Sequence, residues 1–210
     1  MNNSSYHDSR FVFDKKRELL WSVLTEYLQN RFFNDATVIV DFGAGYCNFI
    51  NNVNSRKKYA IDSWHGIKDY AVSDVSCLTS GVSDLESFKN EVDVIFASNV
   101  LEHLDNKDVS KFMVAAKKAL KKNGRLIILQ PNFKYSYASY FDDYTHKSIW
   151  TDVSMQDFAN SFGFRTEFVA RKFLPLSLKS RLPVIPVLIR WYLKSRVKPM
   201  AGQMLLVFSK

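Results

Sequence analysis

Cysteines, long apolar runs and internal repeats are all scarce in this chain of 210 residues. Its two cysteines, Cys47 and Cys77, are too few for a disulfide framework and lack the spacing of metal ligands. No apolar run reaches the roughly 18 residues of a membrane-spanning helix, and no apolar segment follows a basic start, so neither a spanning helix nor a secretory signal is predicted. We therefore expect a cytoplasmic protein in a reducing compartment.

The composition is otherwise that of a globular domain. Hydrophobic residues make up 47% and charged residues 24% of the chain, which excludes a disordered protein. Aromatic residues reach 15%, and a filled core explains them more simply than a pocket for a ring-bearing ligand. The net charge of +8 favours polyanionic partners, whether nucleic acids, anionic lipid surfaces or phosphate-bearing substrates, without choosing among them.

Hydrophobic periodicity divides the chain into alternating helices and strands. Apolar positions recur at helical spacing in residues 9–29, whereas residues 37–42 are apolar on both faces, as in a central parallel strand. Further strands are predicted at 58–62, within 72–78, and at 92–97, 125–130, 166–169 and 204–208, and further helices at 107–122, 154–162 and 187–194. Asn123 and Gly124 are expected to end the helix at 107–122, with the glycine as its C-cap.

This alternation predicts an α/β fold built on a doubly wound parallel sheet, in a single domain. The last two strands have no convincing helix directly between them in the usual rhythm. An antiparallel final strand suits that arrangement.

A glycine-containing turn follows the first predicted strand. Asp41, Gly43 and Gly45 stand at the carboxyl end of that strand, where open α/β sheets bind ligands, and a helix beginning after the turn would offer free N–H groups. A dinucleotide fingerprint would need a third glycine at Asn48, and it does not explain the acid at position 41. A carboxylate there suits the ammonium group of S-adenosylmethionine, although a turn without any ligand is the simpler alternative.

Two later strand ends strengthen the case for a nucleoside pocket. Asp62 ends the second strand, 21 residues after Asp41, where its carboxylate can accept both ribose hydroxyls; the alternative is an Asp that only caps a turn. Asn99 follows the strand at 92–97 and is expected to face the cofactor. Glu102 and His103 are expected to open the next helix beside an acceptor cavity.

Four segments carry a family resemblance, namely DFGAGYCNFIN, ASNVLEHL, KKNGRLIILQPN and YFDDYTH. Together they resemble class I S-adenosylmethionine-dependent methyltransferases, and most closely a bacterial branch linked with polysaccharide and cell-envelope genes. The resemblance implies a Rossmann-like, seven-stranded sheet that is mostly parallel, with an antiparallel last strand at 203–208. It also implies a helical lid at 1–34 and a cofactor-binding core at 37–170, and the residues themselves indicate a basic, apolar insert at 172–200.

The resemblance also implies a set of cofactor contacts. The methionine end would face Asp41, Gly43, Ala44 and Gly45, the ribose would face Asp62, and Asn99 would lie at the mouth of the fourth strand. The third loop glycine of the family is Cys47 here, so the turn must tolerate a Cβ. The family's acid near the adenine is replaced around residues 81–83, which leaves Val82 and backbone groups as contacts, with Asp84 as an alternative.

Methyl transfer from a sulfonium needs an oriented nucleophile more than an elaborate set of acids and bases. For a hydroxyl acceptor a base must take the proton, and the candidates are His146, which we prefer because Asp143 is close in sequence, and His103. The simpler interpretation of each histidine is a hydrogen-bonded loop or helix-cap residue. A metal site formed by Asp142, Asp143 and His146 is a weaker alternative, and no metal is predicted.

Residues 172–198 combine seven lysines and arginines with leucine, tryptophan and tyrosine. This pattern is typical of an interfacial membrane anchor, but a lid that packs its apolar side chains on the sheet is the preferred interpretation. Both functions are compatible if the acceptor is a lipid-linked glycan. A nucleic-acid surface has no supporting motif, so no specific nucleic-acid partner is expected.

The sequence therefore predicts a methyltransferase that acts on a small-molecule or glycan hydroxyl, in the cytoplasm or at the inner face of the membrane. An RNA or protein methyltransferase is the nearer alternative, although residues 98–101 lack the Asn-Pro-Pro-Tyr type of sequence used for methylating base amino groups. A noncatalytic, cofactor-binding scaffold with the same fold is the alternative from another class.

Overall fold

A computed structural model describes residues 15–34, 36–175 and 185–210. Within these ranges the strands are β1 (Val38–Phe42), β2 (Lys57–Ile61), β3 (Val75–Leu78), β4 (Val92–Ser98), β5 (Leu120–Pro131), β6 (Arg165–Pro175) and β7 (Ala201–Ser209). The α-helices are α1 (Lys15–Leu28), α2 (Val82–Ser87), α3 (Asn106–Ala119), α4 (Phe133–Ser136), α5 (Asp152–Ser161) and α6 (Pro186–Lys194). Short turns of 3-10 helix lie at Ile50–Asn52, His65–Asp69, Leu101–His103 and Tyr140–Asp142.

The strands form one sheet in the order β3-β2-β1-β4-β5-β7-β6. β1 to β5 pair in parallel, whereas β7 runs antiparallel to both of its neighbours. This confirms the predicted Rossmann-like α/β fold with an antiparallel last strand. Strand order reverses between β1 and β4, and such a switch point opens a crevice at the carboxyl ends of the strands.

β1 lies at the centre of the sheet because both of its faces are apolar. Val40 and Phe42 pack into one core layer, and Ile39 packs into the layer on the opposite face. The interpretation of residues 37–42 as a central strand covered on both sides is confirmed. The centre of the sheet thus gives the crevice a rigid floor.

The boundary between α3 and β5 differs from the prediction. α3 ends at Ala119, and Leu120 is already extended, fully buried and paired with Val92 of β4. The pairing of β5 with β4 then shifts register between Leu120 and Arg125, so Gly124 lies within β5 and is not the C-cap of the helix. The burial of Leu120 in the sheet outweighs the helical pattern of the lysines that follow it.

The helix predicted at 187–194 is found as α6, and it lies between β6 and β7, where the α/β rhythm had indicated none. Ile189 and Leu193 are buried on its inner side, and Arg190 pairs with Glu26 of α1 at 2.9 Å. The predictions for residues 9–14 and 176–184 lie outside the described residues. Among the described helices, none combines the length and apolarity needed to cross a bilayer.

Candidate cofactor and acceptor site

The loop after β1 adopts backbone conformations that favour glycine. Gly43 and Gly45 have φ angles of 75° and 50°. A Cβ on Gly43 would lie 2.6 Å from Val100 Cγ2, whereas a Cβ on Gly45 would have no neighbour within 4 Å. Gly43 is therefore required by packing, and Gly45 faces open space in which a ligand can approach the backbone.

Cys47 replaces the third glycine of this loop, as the resemblance implied. Its φ is 57°, so a residue with a Cβ adopts a left-handed conformation there, at a cost of roughly 1 kcal/mol. Its N–H donates to the Ala44 carbonyl at 2.8 Å, and burial raises the pKa of its thiol well above the usual range. The loop then continues into a short 3-10 turn at Ile50–Asn52, so the predicted helix N-terminus after the loop is not found.

Asp41 and Asp62 meet at the carboxyl ends of β1 and β2. Asp62 Oδ2 accepts a hydrogen bond from Gly45 N–H at 2.8 Å, and its Oδ1 accepts one from Trp64 N–H at 2.9 Å. Asp41 is 3% exposed. Burial and the nearby charge of Asp62 raise the pKa of Asp41, although a hydrogen bond from the Ile50 N–H acts in the opposite direction. The two acids therefore share one edge of the sheet, as their spacing predicted.

The segment after β3 contributes a second open position. Gly81 has a φ of 65° and precedes α2, and a Cβ there would meet nothing within 4 Å. Val82 is the first residue of α2 and is half-buried. Asp84 Oδ2 accepts from the Ser80 N–H at 2.5 Å, so this acid caps its own turn.

Asn99 lies at the mouth of β4, as expected. It is exposed with a φ of 51°, and its backbone N–H donates to the Leu129 carbonyl at 2.8 Å. Its side-chain amide donates to Ser98 Oγ at 3.0 Å. The backbone bond to β5 fixes this exposed side chain at the edge where the crevice opens.

Glu102 and His103 do not open the next helix, contrary to the prediction. They form a 3-10 turn at Leu101–His103, and α3 begins at Asn106 with Asp105 as its N-cap. Glu102 is 1% exposed, and neither of its carboxylate oxygens has a hydrogen-bond partner in another described residue. Burial therefore raises the pKa of Glu102 to about 8.

His103 and His146 lie together at the carboxyl ends of β4 and β5, with ring centroids 4.8 Å apart. Thr145 Oγ1 lies 2.9 Å from His103 Nδ1 and donates to Asp143 Oδ1 at 2.6 Å. Asp143 is thus connected through Thr145 to His103 as well as being close in sequence to His146. Burial and the neighbouring His146 lower the pKa of His103 to about 4.

His146 is held by a different group. Its Nδ1 lies 2.6 Å from the carbonyl oxygen of Tyr140, and the two rings are 4.4 Å apart. Sequence reasoning missed Thr145 and Tyr140, since nothing in a local pattern marks a hydroxyl or a backbone carbonyl as the partner of an imidazole. The sequence pointed to Glu102 as a residue near the acceptor, but it did not predict that this side chain is buried.

Comparisons with known proteins agree with this geometry. Residues 40–128 match a sequence family described as a methyltransferase domain. The fold is similar to a SAM-dependent methyltransferase from Archaeoglobus fulgidus, with a TM-score of 0.71, 18% identity and 100% of each chain covered. A search of curated proteins gave no match.

Two further solved structures share the fold. A possible histamine N-methyltransferase from Thermotoga maritima has a TM-score of 0.69 and 13% identity, covering 100% of this chain and 96% of that one. The 1,6-didemethyltoxoflavin-N1-methyltransferase of Burkholderia thailandensis, solved with S-adenosylhomocysteine, has a TM-score of 0.63 and 16% identity, covering 99% and 84%. The open space at Gly45, beside two carboxylates, fits such a nucleoside. The chain thus carries a methyltransferase domain over residues 40–128, and its fold is that of solved S-adenosylmethionine-dependent methyltransferases.

Proposed function

We propose that this enzyme methylates a hydroxyl group of a small molecule or glycan. The observation that carries the proposal is the histidine pair, which lies in the loops that follow β4 and β5. β4 is the neighbour of β1 in the sheet, and the glycine loop follows β1. A methyl donor held by the loop would then lie next to groups that can accept a proton.

The cofactor contacts of this proposal follow the strand ends. Asp62 accepts one N–H on each oxygen, and each carboxylate oxygen keeps a further lone pair for a ribose hydroxyl. Asp41 would attract the ammonium group, and Asn99 would lie at the mouth of β4. The remaining proposed contacts are Gly43, Ala44 and Gly45 with the methionine end and Val82 with the adenine.

The proposed base is His146. S-adenosylmethionine supplies an electrophilic methyl group, so the chain has to orient the acceptor and remove one proton. The Tyr140 carbonyl fixes the proton of His146 on Nδ1, which makes Nε2 the nitrogen that carries the lone pair. His103 is the weaker candidate, because its lowered pKa of about 4 makes it a poor proton acceptor.

A small acceptor is favoured over RNA or protein. The similar proteins from Thermotoga maritima and Burkholderia thailandensis carry the names of small-molecule N-methyltransferases, and the second was solved with its small substrate bound. A bacterial enzyme of polysaccharide or cell-envelope metabolism would suit a glycan hydroxyl. A structural neighbour from Haloferax volcanii, solved with the Trm112 methyltransferase activator, is the reason to keep the macromolecular alternative in the test.

We further propose peripheral contact with an anionic membrane through α6 and the residues around it. Ile189 and Leu193 face inward, as a lid requires, but Val187, Leu188 and Trp191 are 70%, 46% and 67% exposed on the outer side. An outer face with valine, leucine and tryptophan near basic residues is typical of interfacial helices. The contact would place the enzyme at the inner membrane face, beside a lipid-linked acceptor.

The methyl acceptor is best sought directly. Purified enzyme with methyl-labelled S-adenosylmethionine is incubated with separated cell fractions: small molecules, glycans and glycolipids, RNA, and protein. Label should enter the small-molecule or glycan fraction and should be lost in His146→Gln. Label in RNA or protein would refute the proposed acceptor class, and a complete lack of transfer to any fraction would favour the noncatalytic scaffold.

The membrane contact has a separate test. Flotation with vesicles that contain anionic lipid should recover the wild-type protein at low salt, and Trp191→Ser should reduce the recovered fraction several-fold. Val114→Ser is the matched control, because Val114 is 56% exposed on α3, away from α6. Equal flotation of all three proteins, or none at low salt, would leave α6 with the role of a lid alone.

A further inference from the structure

Three potential metal ligands converge beside the crevice. Each of Glu102, His103 and His146 offers one nitrogen or oxygen atom that can bind a metal, and these three atoms lie within 4.8 Å of one another. We propose that these three residues form a binding site for a divalent transition-metal ion, with Zn²⁺ as the best match. Two imidazoles and one carboxylate, with further positions open, are a set used for zinc and for iron(II) in proteins.

The first support is the environment of Glu102. Its carboxylate is 1% exposed and has no hydrogen-bond partner in another described residue, yet the turn at Leu101–His103 holds it beside the two imidazoles. The backbone of Glu102 is fixed independently, since its carbonyl accepts from the N–H groups of Lys147 and Ser148 at 2.8 and 3.1 Å. A buried carboxylate without partners is costly, and a cation compensates that cost.

The second support is the way each imidazole is oriented. Metal-binding histidines usually donate their other N–H to a carbonyl or to a group held by a carboxylate. His146 Nδ1 lies 2.6 Å from the Tyr140 carbonyl, and His103 Nδ1 lies 2.9 Å from Thr145 Oγ1, which itself donates to Asp143. Both rings therefore have the tautomer that carries its lone pair on Nε2.

The spacing is close to that of an occupied site. Ligand atoms about 2.1 Å from one tetrahedral ion lie roughly 3.4 Å apart, so rotations of these side chains can close a spacing of up to 4.8 Å. Both histidines are partly exposed, which gives an ion access from the crevice. This site replaces the weaker sequence hypothesis of Asp142, Asp143 and His146: Asp142 is exposed, and Asp143 instead orients Thr145.

The role of the ion, though not its binding, rests on the proposed function. A cation beside the acceptor hydroxyl lowers the pKa of that hydroxyl, so its proton can leave to solvent. The oxygen then forms a bond to the methyl carbon while the carbon–sulfur bond breaks and S-adenosylhomocysteine leaves. His146 would serve as a ligand in the metal-loaded enzyme, and as the base only without metal.

Metal binding can be measured without any acceptor. Tag-free, full-length protein is stripped with a chelator and titrated with ZnCl₂ by calorimetry, and bound zinc is counted after dialysis. The wild type should bind about one zinc per chain, and Glu102→Gln, His103→Gln and His146→Gln should each weaken binding by at least about 100-fold. The exposed His65 is the control, and His65→Gln should bind zinc like the wild type.

Two further measurements separate the possible failures. Zinc should raise the unfolding temperature of the wild type but not that of Glu102→Gln, while S-adenosylhomocysteine should bind all folded variants. If one variant does not fold, the other two give the answer. Absence of saturable zinc binding in the wild type, or wild-type affinity in these variants, overturns the metal site, whereas failure of S-adenosylhomocysteine to bind the wild type refutes only the cofactor assignment.

Discussion

The pKa values of two aspartates, one at each end of the sheet, are shifted in opposite directions. At the amino end, Asp93 Oδ2 accepts from the Thr37 and Val38 N–H groups and from Thr37 Oγ1, and Oδ1 accepts from Lys121 Nζ at 2.8 Å. Burial alone would raise the pKa of Asp93, but these bonds outweigh it and the pKa is lowered. At the carboxyl end, burial and the charge of Asp62 keep the pKa of Asp41 well above its usual range.

Two further buried side chains near the carboxyl end also lack the hydrogen bonds that Asp93 has. Glu102 and Gln130 are both buried there, and none of their side-chain polar atoms has a partner in another described residue. Groups left in this state cost folding free energy, and they become favourable only when a ligand satisfies them. The hydrogen bonds of Asp93 therefore stabilise the fold at the amino end, whereas Asp41 and Glu102 at the carboxyl end belong to the proposed cofactor and acceptor site.

The largest expected effect comes from Gly43→Ala at the carboxyl end. The new Cβ would lie 2.6 Å from Val100 Cγ2, on a backbone with φ of 75°. We expect a loss of about 3 kcal/mol in the free energy of unfolding and at least 100-fold weaker binding of S-adenosylhomocysteine. Chemical denaturation and calorimetry measure the two quantities.

Gly45→Ala is the matched control for Gly43→Ala. Its Cβ would enter open space, so stability should fall only by the roughly 1 kcal/mol of a left-handed residue. The free energy of S-adenosylhomocysteine binding should fall by more than the free energy of unfolding does, because the new methyl group would occupy the proposed ligand space. Equal losses of stability in the two variants would contradict the packing argument for Gly43.

The next effect is expected at the amino end. Asp93→Ala removes an acceptor for four hydrogen bonds, and we expect about 2 kcal/mol lower stability, because water replaces part of what is lost at this partly exposed site. Affinity for S-adenosylhomocysteine should stay within about twofold of the wild type. Weaker binding in proportion to the lost stability would show that the two ends are not independent.

A smaller, pH-dependent effect should distinguish the two aspartates. Because Asp41 holds its proton more tightly in the folded than in the unfolded chain, its contribution to stability falls as the pH rises above the unfolded value near 3.8. Asp93 has the opposite sign: its contribution is present above that value and is lost as the pH falls through the lowered pKa. Denaturation across pH should show a flatter profile at rising pH for Asp41→Asn, and an unchanged profile would contradict the pKa shift of Asp41.

Much of the fold and half of the candidate site could be predicted from local sequence. The run at residues 37–42 is apolar on both faces, which identifies a central strand. Asp41 lies near the end of this strand, and Asp62 directly follows the next one. In a parallel sheet, neighbouring strand ends meet at one edge, so one-dimensional spacing predicts their proximity. The positions of Gly43 and Asn99 followed from the same rule.

The rest depends on contacts between distant segments. Thr145 meets His103 across 42 residues, and the Tyr140 carbonyl that orients His146 belongs to the backbone, whose partners no residue pattern specifies. The early end of α3 at Ala119 reflects burial of Leu120 against β4 rather than helix propensity. Tertiary packing decides such details, and a single sequence does not show it.

The most direct test of the cofactor site is a calorimetric titration of S-adenosylhomocysteine into three proteins. Asp62→Asn should weaken binding by about 30-fold, because the ribose hydroxyls lose a charged acceptor. Asp74→Asn is the control, since exposed Asp74 directly precedes β3, at the opposite end of the sheet from Asp62, and forms an ion pair with Lys58. Wild-type affinity in Asp74→Asn with a marked loss in Asp62→Asn is the predicted result, and equal affinity of all three proteins would contradict the assignment of the nucleoside to the carboxyl ends of β1 and β2.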